Sequence, residues 1–212
     1  MSQKLPKGIY GITGEKFSRG RRNIEVVEAM IRGGVRVVQY REKHKEKSIR
    51  EMFEECLAIR KITRKHGVMF IVNDFVDIAL LTDADGVHVG QDDLPLQEVR
   101  RLVGHRIIGV STHSPEQAEA AVAGGADYIG VGPVFETRTK EDVCDPVGFE
   151  YLEYAASKVP IPFVAIGGIK AHNIHEVVSR GAESVCMVTE IVGAEDIEGT
   201  VRRLGEMLKG SE

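Results

Sequence analysis

Polar residues able to bind phosphate groups follow several short apolar segments of the chain. One segment ends in Gln39-Tyr40-Arg41-Glu42-Lys43, where strand alternation would place Gln39, Arg41 and Lys43 on one side. Two cations and an amide on one side suit a phosphate or a diphosphate. The alternative is a solvated charged loop, because further lysines follow this segment.

Carboxylates at the ends of two later segments suggest a metal site. Asn73 and Asp74 close one apolar segment, and Asp92 and Asp93 follow the next. Pairing Asp74 with one of the later aspartates would give Mg²⁺ hard oxygen ligands, which water and phosphate oxygens would complete. Alternatively, one of the later aspartates caps the helix that starts beside Pro95.

The fifth apolar segment ends close to Ser111 and His113. A serine–histidine nucleophile pair is conceivable there, but no acidic partner or nucleophile-elbow motif accompanies it. We therefore expect Ser111 to bind substrate through its hydroxyl group. The remaining histidines, His88 among them, lack metal-ligand spacing and are interpreted as structural or surface residues.

The last three apolar segments are followed by groups that suit a phosphate. The sixth leads into a long polar loop containing Thr137-Arg138-Thr139-Lys140, and a loop of this kind can act as a lid. The seventh ends in Gly167-Gly168, and paired glycines let backbone N–H groups approach phosphate oxygens. The eighth includes Val188-Thr189, which adds a hydroxyl.

Eight buried parallel strands are expected to position these groups. The apolar, β-branched segments run over residues 8–13, 35–41, 69–74, 86–90, 107–112, 128–133, 162–168 and 184–189. Helical periodicity fills the gaps, as in Ile49, Met52, Phe53, Cys56 and Leu57. Eight strand–helix units predict an α/β fold, a single (β/α)₈ TIM barrel over residues 1–212, with catalytic groups at the carboxyl ends of the strands. The competing architecture is an open doubly wound sheet.

Composition excludes several other classes of protein. The chain has 212 residues, of which 42% are hydrophobic and 28% charged, so a disordered protein is not expected. A net charge of −4 and the absence of tryptophan argue against a nucleic-acid binder. Three widely separated cysteines match neither a disulfide framework nor a zinc site, and no apolar segment is long enough for a membrane span. We expect a cytoplasmic protein.

Two anion sites with no well-supported general base between them favour one type of reaction. Transfer of an activated group away from diphosphate depends mostly on positioning and charge stabilisation. An isomerase built on a phosphate-binding barrel would need an acid/base pair at the strand ends, and the sequence shows no convincing one.

The order and spacing of these motifs resemble those of the thiamine phosphate synthase family, from about Tyr10 to about Asp196. The resemblance implies that 4-amino-5-hydroxymethyl-2-methylpyrimidine diphosphate (the pyrimidine diphosphate) reacts with 4-methyl-5-(2-hydroxyethyl)thiazole phosphate (the thiazole phosphate). The implied products are thiamine phosphate and diphosphate. Diphosphate would leave first, a pyrimidine methyl cation would form, and the thiazole nitrogen would then attack it.

The resemblance also implies roles for individual residues. Positions that match contacts to the pyrimidine diphosphate are Gln39, Arg41, Lys43, Asn73, Ser111 and Lys140. Positions that match contacts to the thiazole phosphate are Thr137, Thr139, Gly168, Val188 and Thr189. Three further residues of the same motifs are expected to contact substrate, namely Tyr40, Glu42 and Arg138.

By the same resemblance, Asp74 and Asp93 match the ligands of Mg²⁺, which favours Asp93 over Asp92. The expected catalytic residues are Arg41, Lys43, Ser111 and Lys140. The expected partners are the two small-molecule substrates, with neither nucleic acid nor membrane, and a homo-oligomer is compatible with the sequence.

Three positions depart from the family pattern. Gly14 stands where aspartate is frequent, Glu136 where proline is common, and Thr189 where serine is usual. Glu136 adds a negative charge beside an anion-binding loop, whereas Thr189 keeps the hydroxyl. The alternative functions are a thiazole tautomerase of the same superfamily and a non-catalytic thiazole phosphate sensor. The complete set of metal and diphosphate residues favours the synthase over both.

Overall fold

The structure is a computed structural model that describes residues 4–137, 139 and 144–209. Parallel strands are hydrogen-bonded in chain order, and the eighth pairs with the first to close a barrel. The strands are β1 (Gly8–Ile12), β2 (Val37–Tyr40), β3 (Met69–Asn73), β4 (Gly86–Val89), β5 (Ile107–Thr112), β6 (Tyr128–Val131), β7 (Phe163–Ile166) and β8 (Ser184–Cys186). The predicted TIM barrel is therefore confirmed.

Helices form the outer layer of the barrel. Within the described ranges they are α1 (Asn23–Arg32), α2 (Ile49–His66), α3 (Val76–Leu81), α4 (Leu96–Val103), α5 (Pro115–Ala123), α6 (Gly148–Lys158), α7 (Ile174–Val178), α8 (Val188–Val192) and α9 (Ile197–Lys209). None of these helices has the combination of length and apolar character needed to cross a membrane.

In most strands, alternate residues contribute to two separate apolar clusters. In β5, Ile108 packs in the layer between strands and helices, whereas Ile107 lies inside the barrel. The interior cluster consists of Leu5, Tyr10, Ile12, Val37, Met69, Ile71, Ile107, Tyr128, Val164 and Cys186. This alternation decides which side chain of a strand reaches the central cavity and which one contacts a helix.

The long helix α2 shows how local sequence signals fix an element. Ser48 and Glu51 form a reciprocal capping box at its start, and Gly67 ends it in a left-handed conformation. Its buried face includes Met52 and Cys56 as expected. Ile49 and Leu57 lie at the edge of that face and are 38% and 37% exposed. The predicted apolar stripe is thus wider than the face that packs on the barrel.

Several strands end earlier than the sequence predicts. The segment 184–189 was expected to be one strand, but β8 ends at Cys186 and helix α8 begins at Val188. β-branched residues such as Val188 and Thr189 favour strands, and tertiary context overrides this weak preference. The shorter strands place the residues that follow them in loops at the mouth of the barrel.

Candidate active site

A cavity of about 920 Å³ opens at the carboxyl ends of the strands. Its size falls within the usual range for small-molecule sites. It brings together most of the residues expected at the site, namely Gln39, Arg41, Lys43, Asn73, Asp74, Asp93, Ser111, Thr137, Thr139, Gly168, Val188 and Thr189. Asp92 and Glu136 also line it.

One side of the cavity holds a pair of carboxylates beside a cation. Asp74 follows β3 and Asp93 follows β4, and both side chains line the cavity, close enough for the charge of one to act on the other. Lys43 Nζ lies 3.4 Å from Asp74 Oδ2. Burial raises the pKa of Asp74, and the neighbouring charge of Asp93 raises it further, while Lys43 opposes both effects.

Backbone geometry brings these two carboxylates together. Asp74 adopts a left-handed conformation with φ of 62°, which aspartate tolerates better than most residues. Asp93 Oδ2 accepts a hydrogen bond from the backbone N–H of Gly90 at 2.7 Å, which folds the loop after β4 back over the strand end. Non-glycine residues in this conformation are concentrated at functional sites.

The carboxylate oxygens of Asp74 and Asp93 fit a magnesium ion that substrate would hold in part. Two adjacent carboxylates repel each other when both are ionised, and a divalent cation between them would relieve that repulsion. In the part of the chain that the structure describes, no group of three or more His, Cys, Asp or Glu residues could hold a metal. A Mg²⁺ ion here would therefore take its remaining ligands from water and phosphate oxygens, as it commonly does.

The floor of the cavity is a chain of hydrogen-bonded side chains inside the barrel. Gln39 Nε2 donates to the hydroxyl of Tyr10 at 3.0 Å, and the hydroxyls of Tyr10 and Tyr128 are 2.7 Å apart. His88 Nδ1 lies 2.9 Å from the Tyr128 hydroxyl, and His88 Nε2 lies 2.9 Å from Ser111 Oγ. His88, interpreted from the sequence only as a structural or surface residue, thus belongs to this chain and lines the cavity.

Sequence reasoning also missed Tyr10 and Tyr128, although strand alternation carried a signal for both. Each lies in a strand at a position that points inward, as does Gln39 of β2, which also lines the cavity. Burial raises the pKa of both tyrosines far above its ordinary value. Both hydroxyls therefore stay protonated at any working pH and are available as hydrogen-bond donors.

The opposite side of the cavity is formed by the loops after β7 and β8. Gly168 has φ of 64°, and a Cβ atom there would lie 2.5 Å from the backbone oxygen of Glu136. Only glycine fits this close approach of two backbone segments. Asn173 braces the same loop, donating to the Gly168 oxygen at 3.2 Å and accepting from the backbone N–H of Lys170 at 2.7 Å.

Lys170 is a cavity residue that the sequence did not single out. Its Nζ donates to Thr189 Oγ1 at 2.8 Å and lies 3.4 Å from Glu190 Oε2. It places a cation beside the glycine loop where the phosphate was expected. No motif or spacing rule distinguishes it from an ordinary loop lysine.

The polar loop after β6 is only partly described. Thr137 Oγ1 and Thr139 Oγ1 lie 3.1 Å apart, and both residues line the cavity. Arg138 and Lys140, which were expected at the site, lie outside the described residues. Their roles stay predictions.

Tyr40 and Glu42 correct the expectation that the whole motif after β2 contacts substrate. The Tyr40 hydroxyl donates to Glu55 on α2 at 2.7 Å, and Glu42 Oε1 accepts from Asn23 Nδ2 on α1 at 2.9 Å. Neither residue lines the cavity. Alternation along the extended chain sends these two side chains outward, while Gln39 is sent inward.

A second groove, of about 850 Å³, lies at the opposite end of the barrel, where β4, β5 and β6 begin. Its arginines are used within the protein. Arg60 pairs with Asp85 at 2.8 Å, and Arg100 pairs with Asp127 at 2.6 Å. Polar clusters at this end of such barrels serve stability, which leaves the cavity at the carboxyl ends as the candidate active site.

Comparison with known proteins agrees with this fold. A family model described as thiamine monophosphate synthase matches residues 9–191. The chain is 61% identical over 213 residues to a thiamine-phosphate synthase of Pelotomaculum thermopropionicum, covering 100% of this chain and 97% of the relative. It is 53% identical over 205 residues to that of Caldicellulosiruptor saccharolyticus, covering 96% and 92%. A solved thiamine phosphate pyrophosphorylase from Pyrococcus furiosus aligns with a TM-score of 0.88 and 34% identity over 96% of each chain.

Proposed function

The chain belongs to the thiamine monophosphate synthase family, and we propose that the cavity at the carboxyl ends of its strands is the active site. Its activity is the synthesis of thiamine phosphate, a group transfer that releases diphosphate. The proposal treats residues 1–212 as one catalytic barrel domain. The main observation that supports the proposed function is the cluster of Asp74, Asp93 and Lys43 on one side of the cavity.

The diphosphate of the pyrimidine substrate is proposed to bind beside this cluster. Arg41 and Lys43 line the cavity on the side where the carboxylates lie. Their charged N–H groups would donate hydrogen bonds to diphosphate oxygens, which are stronger than bonds between neutral groups. Lys140 is proposed to add a third cation from the polar loop after β6.

Asp74 and Asp93 are the residues proposed to hold Mg²⁺. When bound, the ion supplies positive charge to the oxygens of the departing diphosphate. Lys43 already lies beside Asp74, so protein and ion would act on the same part of the substrate.

The proposed reaction needs no protein nucleophile and no general base. The bond between the pyrimidine methylene carbon and the diphosphate oxygen breaks, and the electron pair leaves with diphosphate. The thiazole nitrogen then gives its lone pair to the resulting cation and becomes the positively charged nitrogen of the product. Because that nitrogen carries no proton, Arg41, Lys43 and Ser111 only have to bind, orient and neutralise charge.

The phosphate of the thiazole substrate is proposed to bind at the loops after β6, β7 and β8. Gly168 offers its backbone N–H group, Thr189 offers a hydroxyl, and Lys170 offers a cation. Thr137 and Thr139 are proposed to contact the same phosphate from the polar loop, and Val188 to pack beside it. Loops after the seventh and eighth strands form the usual phosphate site of these barrels.

Product formation tests this function directly. The purified protein is incubated with both substrates, with Mg²⁺ or with a chelator, and thiamine phosphate and diphosphate are quantified. We expect equimolar products that depend on the metal. A folded protein that binds the thiazole phosphate without forming product would overturn the proposed function.

If no product forms, two further measurements distinguish the alternative functions. Isomerisation of the thiazole alone would indicate a tautomerase, and binding without any turnover would indicate a sensor. Homo-oligomer formation and a cytoplasmic location stay predictions, which sedimentation and cell fractionation would check.

A further inference from the structure

The hydrogen-bonded floor of the cavity forms one continuous path across the inside of the barrel. It runs from Gln39 through Tyr10, Tyr128 and His88 to Ser111, and none of its four links exceeds 3.0 Å. We call these five residues the interior relay.

The direction of every link follows from the first one. The Gln39 amide nitrogen can only donate, so it occupies a lone pair of the Tyr10 oxygen. The Tyr10 proton then goes to the Tyr128 oxygen, and the Tyr128 proton goes to His88 Nδ1. A neutral imidazole that accepts at Nδ1 carries its proton on Nε2, which donates to Ser111 Oγ.

The reverse direction leaves a buried donor without an acceptor. If Tyr128 donated to Tyr10, the Tyr10 hydroxyl would receive two protons from its neighbours and keep its own proton unpaired. Tyr10 is only 3% exposed, so its hydroxyl has little access to water as an alternative acceptor. An unpaired buried donor is costly, and this cost selects the direction from Gln39 to Ser111.

We propose that the interior relay fixes Ser111 as a hydrogen-bond donor toward the cavity. Because Ser111 Oγ accepts from His88, its own proton is directed to a bound ligand. Tyr10, Tyr128 and His88 are positioning residues that act through Ser111. The inference rests on the proposed function, in which Ser111 contacts the pyrimidine diphosphate, whose ring nitrogens and diphosphate oxygens are acceptors.

The strands leave room for this relay at specific glycines. A Cβ atom on Gly109 in β5 would lie 2.1 Å from the Tyr128 ring, and one on Gly130 in β6 would lie 3.4 Å from His88 Cε1. The Ser111 backbone is also held, since its oxygen accepts from Gln91 Nε2 at 2.6 Å. The side chains of the relay are therefore closely packed, and the orientation of the Ser111 hydroxyl proton is the feature that the relay has still to fix.

Nuclear magnetic resonance of ¹⁵N-labelled histidine tests the direction without turnover. At about pH 8 an ordinary imidazole is neutral, and its two nitrogens report which one carries the proton. We expect His88 to be the Nε2–H tautomer in the wild-type protein, with the Nδ1–H tautomer increasing in Tyr128→Phe. A wild-type protein in the Nδ1–H tautomer would overturn the relay, whatever its activity.

A double-mutant cycle tests the action through Ser111. Tyr128→Phe should lower kcat/KM for the pyrimidine diphosphate by about three- to tenfold, the value of one hydrogen bond, and leave KM for the thiazole phosphate unchanged. In the Ser111→Ala background, Tyr128→Phe should cause no further loss. Equal losses in both backgrounds would mean that Tyr128 acts independently of Ser111 and would overturn the proposal.

A matched control separates this effect from the loss of any buried tyrosine hydroxyl. Tyr151→Phe removes a hydroxyl that donates to Thr112 Oγ1 at 2.6 Å outside the barrel interior, and it should leave both kinetic parameters unchanged. If Tyr128→Phe does not fold, Tyr10→Phe interrupts the same path and is examined in the same cycle. A wild-type protein that makes no thiamine phosphate would overturn the proposed function alone, because the tautomer is measured independently.

Discussion

Lys170 Nζ donates a hydrogen bond to Thr189 Oγ1 at 2.8 Å and so links the loop after β7 to the start of α8. Both residues line the cavity beside the glycine loop. Glu190 lies 3.4 Å from the same amine and balances its charge within the protein. The lysine is thus held in place by two neighbours, and its charge is directed to the side where the thiazole phosphate is proposed to bind.

Replacing Lys170 should weaken binding of the thiazole phosphate selectively. We expect Lys170→Met to raise KM for the thiazole phosphate about tenfold or more, since a charged hydrogen bond is lost. KM for the pyrimidine diphosphate should stay within error. Steady-state kinetics with each substrate varied in turn measures both values. Lys158→Met, on the exposed end of α6, is the control, and an equal rise in both KM values would contradict the assignment.

Asp93→Asn should separate metal-dependent turnover from binding of the thiazole phosphate. The amide oxygen can still accept from the Gly90 N–H, so the loop should keep its shape. We expect kcat to fall about a hundredfold or more, because metal ligation supplies several kcal/mol of charge stabilisation. Calorimetry should show unchanged binding of the thiazole phosphate. Asp92→Asn is the neighbouring control, and a larger loss there would reverse the choice between the two aspartates.

The sequence predicts the barrel and most of the site because both follow from the repeated order of strand, polar loop and helix. The carboxyl ends of all strands in a closed parallel barrel meet at one mouth, so polar residues that follow apolar segments must converge. Asp74 and Asp93 lie nearly 20 positions apart in the chain, yet both line the cavity and their charges interact. The order of segments was enough to pair Asp74 with either Asp92 or Asp93, and the family resemblance favoured Asp93.

The cavity residues that the sequence analysis did not single out were overlooked for a different physical reason. His88, Tyr10 and Tyr128 lie within strands, where a polar side chain looks like an exception to the apolar pattern. Their role depends on which side chains meet across the barrel interior, and that depends on strand register. The expectation that Tyr40 and Glu42 contact substrate has the opposite cause. It extended a sequence motif to residues whose side chains point outward by strand alternation.

Gly168→Ala tests whether the close approach at the glycine loop matters for phosphate binding. A Cβ there would lie 2.5 Å from the Glu136 backbone oxygen, so the loop must shift. We expect a loss of stability above about 1 kcal/mol and a raised KM for the thiazole phosphate. Gly67→Ala is a matched control with the same φ of 64° and open space around it. It should lose stability only, and a similar KM effect in both variants would exclude the loop contact.

Glu42 has a structural role that makes a prediction about pH. Its Oε1 accepts from the backbone N–H of Glu15 and from Asn23 Nδ2, both at 2.9 Å. These contacts anchor the chain that carries Arg41 and Lys43 to the start of α1. Burial is the main cause that raises the pKa of Glu42, and its hydrogen bonds only partly offset that effect.

A raised pKa means that the folded state holds the Glu42 proton more tightly than the unfolded state does. Its contribution to stability is complete below the unfolded pKa and is lost as the pH rises through the folded pKa, from about pH 4 upward. Glu42→Gln keeps an oxygen acceptor and cannot ionise, so its stability relative to wild type should increase with pH. Denaturant unfolding at a series of pH values measures this difference. Glu51→Gln should show the opposite trend, because hydrogen bonds from Ser48 lower the pKa of Glu51. Parallel trends in the two variants would rule out burial of Glu42 as the cause.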